Sequence, residues 1–336
     1  MYSDRLPLYK ELEQRLDSKL LVYITGDRQG FETQISGDVI DIFINQLDKI
    51  GIVKKISLYL YTRGGYTAAA WNIVNLIKQY CEELQVIIPH KAHSAGTLIS
   101  IGANSIIMTK QATLGPIDPS LNTPLNPPIP GAFPQNTYPV SVEAVKGYIE
   151  FAKEELGIKD DNALANIMIK LSESVHPLVL GEVYRSRAQI KMLAEKLLVS
   201  QVSDSEQIRK IIAFLCSDSG SHDYTINRRE AKNSLGLNIQ KPDNEMYKII
   251  KNIYDSISDE LGFGLPFDLR MLAQDNSGEY SIKRVLIESI LGGSSFFITQ
   301  GNAVFVNIQQ QSGLPQQQAI KNDIIFEGWK YETENI

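Results

Sequence analysis

From Leu20 to Lys110 the chain alternates between short apolar runs and amphipathic stretches, and this alternation constrains the fold more than any other feature. "KLLVYITGD", "KISLYLYTR", "LQVIIP" and "SIIMTK" read as strands, and "GDVIDIFINQLDKI" and "TAAAWNIVNLIKQYC" as helices between them. Strands and helices alternating at this spacing predict parallel βαβ units with right-handed crossovers. The strands are apolar almost throughout, as a sheet covered on both faces requires. An α/β fold with a mostly parallel sheet follows.

The 336 residues allow one large or two modest domains with a substantial core. A net charge of −6 leaves no basic footprint and argues against nucleic acid as the main partner. The N-terminal "MYSDRLPLYKELEQRLDSKL" reads as a polar, charged helix and not as a signal peptide. No run approaches the ~18 apolar residues of a membrane span. A cytoplasmic protein without a membrane anchor is the expectation. Cys81 and Cys216 are too few for a disulfide framework, show no metal-ligand spacing and read as core residues of helices. Neither metal nor cofactor is expected.

Three parts are expected: a helical segment over 1–19, a main domain over 20–262 and a small β-rich appendage over 263–336. Between Pro116 and Pro139 the main domain holds eight of the fourteen prolines, which excludes helix and central strand and predicts a long, stiff surface loop. Helices are expected at "SVEAVKGYIEFAKEELG", "HPLVLGEVYRSRAQIKMLAEKLL" and Asn244–Leu261. In the appendage, Gly301-Asn302 reads as a hairpin turn between strands, and "QQQSGLPQQQ" as a flexible loop.

Three glycine-containing turns fall near predicted strand ends, the edge at which open α/β sheets bind ligands. "TRGGY" pairs Gly64 with Gly65, which permits positive φ and close approach of backbone N–H groups to a ligand, or simply a tight turn. "AHSAGT" sets Ser94 where a strand gives way to a helix, a position for an N-cap or for a nucleophile. "TLGPIDPS" holds Asp118 between prolines. No nucleotide-binding glycine pattern occurs at these turns. Of the four histidines, His90 sits at a strand end, His93 adjoins Ser94, His176 stands before Pro177 in a capping position, and His222 precedes a capped helix.

Together, "LYTRGG", "AHSAGTLISIGANSIIMTKQATLGPIDPSL" and "SHDYTINRREAKNSLGL" resemble the serine dehydrogenase proteinase family of the Clp/crotonase superfamily, over roughly Leu20 to Ile239. The resemblance implies repeated ββα/βαβ units and a serine peptidase acting on peptides or unfolded proteins, assembled as a homo-oligomer. Carried over residue by residue, it makes Ser94 the nucleophile and Asp118 and His222 its partners. Gly64, Gly65 and Ala95 would form the oxyanion hole. Against a Clp protease, Asp118 falls near the usual histidine position and His222 near the usual aspartate position. Lys146 therefore stays open as an alternative base, as in the Ser-Lys signal peptide peptidases. A crotonase-like acyl-CoA enzyme and an inactive scaffold of the same fold are the competing readings.

Overall fold

The computed structural model describes residues 1–117, 120–121, 123–130, 136–218, 223–274, 278–308 and 317–332. Asp118 and His222 lie outside the described residues. The chain divides into two compact units, Met1–Leu114 with Asn227–Ile336, and Gly115–Ile226.

The first unit is built on an eight-stranded sheet. Its strands are β1 (Lys19–Thr25), β2 (Val53–Tyr61), β3 (Cys81–Ile88), β4 (Ser105–Met108), β5 (Ile239–Gln240), β6 (Glu279–Ser289), β7 (Gly293–Ile308) and β8 (Gln317–Glu332). Their order across the sheet is β5-β4-β3-β2-β1-β6-β7-β8. The five strands from β5 to β1 are parallel, with Val22 beside Tyr59, Leu58 beside Val86 and Val86 beside Ile106. Beyond β1 the sheet turns antiparallel. The C-terminal β-rich stretch is thus a continuation of the main sheet, joined where Val22 pairs with Glu288.

Helices α1 (Tyr2–Leu16), α2 (Val39–Ile50), α3 (Thr67–Ile77), α4 (Ala95–Ile101) and α5 (Asn244–Glu260) belong to this unit. The polar N-terminal helix expected from the sequence keeps one apolar stripe, and Tyr2, Tyr9 and Leu12 pack with Ile250, Ile253 and Ile257 of α5 over Val22, Ile24 and Tyr59. Full burial of side chains of this size contributes about 1.5–3 kcal/mol each. Arg5 is buried on the same stripe, with a guanidinium nitrogen 2.6 Å from Glu288 and another 2.6 Å from Glu260. On the opposite face, period-two alternation presents Leu21 and Tyr23, and Tyr23 meets Phe43 of α2 edge-on.

The readings of the Gly301-Asn302 turn and of Cys81 are corrected. Gly301 and Asn302 run inside β7, opposite a bulge in β8, and the β6–β7 turn lies at residues 290–292. Gly301 is held there by crowding, because a Cβ would lie 2.5 Å from the Tyr280 hydroxyl. Helix α3 stops at Ile77, so Cys81 opens β3 instead of closing a helix, and it is only partly buried. Cys216 is buried, in the π-helical segment Phe214–Asp218.

The second unit is helical, with helices at Val142–Glu150, Asp161–Ser174, Pro177–Leu198 and Ser205–Ala213. The ends of its proline-rich segment are tied by pairing of Ser120–Leu121 with Val140–Ser141. The Asn126 side chain is buried there and donates to the Tyr138 carbonyl at 2.9 Å.

Candidate active site

The Gly64-Gly65 turn and the Ser94 turn, both singled out in the sequence, follow the carboxyl ends of β2 and β3. After Tyr61 the chain passes through Thr62-Arg63-Gly64-Gly65 and enters α3 at Thr67, with Gly64 at φ 118° and Gly65 at φ 147°. Ile35 runs alongside as a one-residue parallel bridge. Its N–H donates to the Gly64 carbonyl at 2.8 Å, and its carbonyl accepts from Tyr66 N–H at 2.9 Å. In a parallel bridge of this pattern the central residue, Gly65, turns its own N–H away from the neighbour. A Cβ on Gly65 would stand 2.2 Å from the Ile35 carbonyl oxygen, so no larger residue fits without moving the backbone.

Beyond β3, Lys91–Ala92 forms a short strand parallel to Thr113–Leu114. Thr62 stitches this segment to the end of β2, since its N–H donates to the Lys91 carbonyl and its carbonyl accepts from His93 N–H, both at 3.1 Å. Ser94 follows with φ 52° and ψ −114°, and α4 begins at Ala95. An L-residue in such a conformation costs about 1–3 kcal/mol and persists only where the surroundings enforce it.

The enforcement is visible. Gly96 N–H donates to the His93 carbonyl at 2.8 Å and closes the turn. A Cβ on Gly96 would lie 2.4 Å from the Thr62 methyl, and the Thr97 hydroxyl donates to the Ala92 carbonyl at 2.9 Å. Ser94 occupies the N-cap position of α4, yet its hydroxyl accepts nothing from the helix. The capping role that its sequence position allowed is therefore not taken up. Gly64 faces it, where a Cβ would fall 2.7 Å from the Ser94 Cβ and 3.3 Å from its Oγ. Among the described residues, neither Gly65 N–H nor Ala95 N–H joins the backbone hydrogen bonds of these turns.

Charge gathers beside the site. Asp27 follows β1, and its Oδ2 accepts from the Tyr61 hydroxyl at 2.6 Å and from Lys91 Nζ at 2.7 Å. Arg63 reaches its Oδ1 at 3.4 Å and Glu32 at 3.2 Å. Burial alone would raise the Asp27 pKa, but the hydrogen bonds from Lys91 and Tyr61, with the charges of Lys91 and Arg63, hold it below the usual carboxylate value. His90 stacks on Tyr254 with ring centroids 5.8 Å apart, and burial followed by the Lys91 charge lowers its pKa.

Ser94, Gly64, Gly65 and Ala95 are thus brought together. Lys146 stands on the helix Val142–Glu150 in the other unit, 3.1 Å from Glu150 and 3.7 Å from Glu143. His93 turns to the Thr113 hydroxyl at 2.9 Å, and His176 caps its helix by accepting from Leu178 N–H at 3.2 Å. Sequence reading missed Ile35 and Asp27. A usable signal existed for Asp27, because "TGDR" places it at a further carboxyl strand end, in addition to the three turns already suspected.

Residues 46–137 match the model of a family described as ClpP-like SDH-type serine proteinase. Two uncharacterized proteins of Methanocaldococcus jannaschii, MJ0137 and MJ1495, are 31% and 29% identical to this chain, each over 55% of it. These matches cover 54% and 51% of the relatives, so the chain spans about half the length of the curated proteins it matches. Among solved structures, a variant of the 1510-N membrane-bound stomatin-specific protease is similar at 17% identity and a TM-score of 0.39, over 69% of this chain and 85% of that one. ClpP1 from Listeria monocytogenes gives 16% and 0.35, over 70% and 99%. The Gly64-Gly65 turn and the Ser94 turn both lie within the segment that matches the ClpP-like serine proteinase family.

Proposed function

We propose that the chain is a serine peptidase that hydrolyses peptide bonds through an acyl-enzyme on Ser94. One observation carries the reading. Ser94 is held at φ 52° with its hydroxyl uncapped, against a glycine that leaves room for nothing larger. Strain kept in place around a hydroxyl that does not cap its helix, at a strand-to-helix turn, is what a nucleophile requires. The match of residues 46–137 to a serine proteinase family supports the same chemistry.

In this reading the Ser94 oxygen attacks the scissile carbonyl while a base removes its proton. The oxyanion is met by the N–H groups of Gly65 and Ala95, in the turn that Gly64 opens. The proton then passes to the departing amine, and water releases the acyl group in a second round. By resemblance His222 is the base and Asp118 its acidic partner, with Lys146 as the alternative base. Peptides and unfolded proteins are the proposed substrates, and a cytoplasmic homo-oligomer the proposed form. Among the described residues no helix is long and apolar enough to cross a membrane.

A library of fluorescence-quenched peptides tests the activity. The wild-type chain should cleave a subset and Ser94→Ala none, whereas equal cleavage by both would remove Ser94 from the mechanism. Sedimentation as a monomer at micromolar concentration would contradict the assembly.

A further inference from the structure

We infer that Asp27 is a positioning residue, whose carboxylate clamps the ends of β1, β2 and the segment after β3 and so fixes the Gly64-Gly65 turn against Ser94. The inference rests on the peptidase reading and adds to it a residue that touches neither substrate nor nucleophile.

The geometry is two-sided. Tyr61 and Arg63 flank Thr62, and side-chain alternation along the strand sends both to one face while Thr62 goes to the other. On the first face both donate to Asp27. On the second, the Thr62 hydroxyl accepts from Gly64 N–H at 3.0 Å and from the Thr25 hydroxyl at 2.9 Å. Lys91 closes the loop, because its ammonium holds Asp27 at 2.7 Å while its carbonyl accepts from Thr62 N–H at 3.1 Å. Three residues further on is Ser94. Asp27 is therefore an acceptor shared by the strand that leads into the glycine pair and the segment that leads into the serine.

The surroundings strengthen the clamp. The Tyr61 ring packs on Phe263 at 5.1 Å and on Tyr254 at 5.3 Å, and the Lys91 ammonium lies 5.7 Å from the Tyr61 ring centre. Only 13% of the Asp27 side chain is exposed. Hydrogen bonds to an ionised group in such partly dry surroundings are stronger than those of a solvated surface pair. Catalysis is sensitive to small displacements of the groups it uses, so the clamp is felt at Ser94 without contact.

The test compares Asp27→Asn and Lys91→Met with the wild type, each at a temperature where it is fully folded. Two readouts are taken: the rate of Ser94 modification by a fluorophosphonate, and hydrogen exchange at the Thr62 and His93 amides. Lys55→Met is the control, since Lys55 pairs with Glu83 at the other end of β2. Both clamp variants should label about tenfold to a hundredfold more slowly and exchange faster at the two amides, with the control like wild type. Normal labelling and exchange in both clamp variants would overturn the inference, as would an equal loss in the control. A wild-type chain unlabelled at Ser94 would defeat the peptidase reading instead, and the exchange readout would still decide the clamp.

Discussion

Gly64 and Ser94 are in mutual contact across two turns that are 30 residues apart in sequence, and a Cβ on one would stand 2.7 Å from the Cβ of the other. Gly64→Ala should therefore push the two turns apart as well as strain a backbone at φ 118°. The expected cost is about 1–3 kcal/mol in denaturant unfolding, with loss of Ser94 reactivity at temperatures where the variant is folded. Full reactivity in folded Gly64→Ala would show that the contact is irrelevant to the site.

The strain at Ser94 can be measured directly. Glycine adopts φ 52° without penalty and alanine does not. Ser94→Gly should be more stable than Ser94→Ala by about 2 kcal/mol, which exceeds the ~1 kcal/mol by which glycine already surpasses alanine at an unstrained N-cap. Both should be inactive. A gap of about 1 kcal/mol or less between the two variants would mean that Ser94 stores no strain.

The base is decided by two substitutions. His222→Ala should lower peptide turnover by at least about a hundredfold, the usual scale of general-base catalysis. Lys146→Ala should leave turnover close to wild type, because Lys146 is engaged by Glu150 and Glu143 on its own helix. An inactive lysine variant beside an active histidine variant would replace the proposed Ser-Asp-His set by a Ser-Lys pair.

Asp27 makes a prediction about pH. Its carboxyl is held below the ordinary value, so its contribution to stability is complete above the unfolded pKa of about 3.9 and is lost as pH falls through the lower folded value. Urea unfolding between pH 3 and pH 7 should show a constant gap between wild type and Asp27→Asn above about pH 5, narrowing below pH 4. A gap that widens on acidification would contradict the sign.

Four of the five parallel strands were legible because each carries a nearly continuous apolar run, the mark of burial on both faces, whereas β5 is only Ile239–Gln240 and carries no such run. The antiparallel half was legible as strands but not as part of the same sheet. The pairing of Val22 with Glu288 joins residues far apart in the chain, and no local pattern records it. The real β6–β7 turn hides in "ILGG", beside a Gly-Asn pair that looked the better turn and is instead shaped by the Tyr280 hydroxyl. The helix Asp161–Ser174 escaped notice because it buries no residue and so carries no strong apolar stripe. At the site, Ser94 and the glycine pair were readable from their turns. The contact between Gly64 and Ser94, the bridge from Ile35 and the convergence on Asp27 are tertiary, and a lone aspartate in a loop announces none of them.

The most direct test of the central claim is to locate the adduct formed when the folded chain meets a fluorophosphonate probe. Mass spectrometry of the digest should find one major adduct, on the peptide that contains Ser94, absent after heat denaturation and absent in Ser94→Ala. An unmodified Ser94 peptide, or labelling that persists unchanged in Ser94→Ala, would show that the strained serine is not an activated nucleophile.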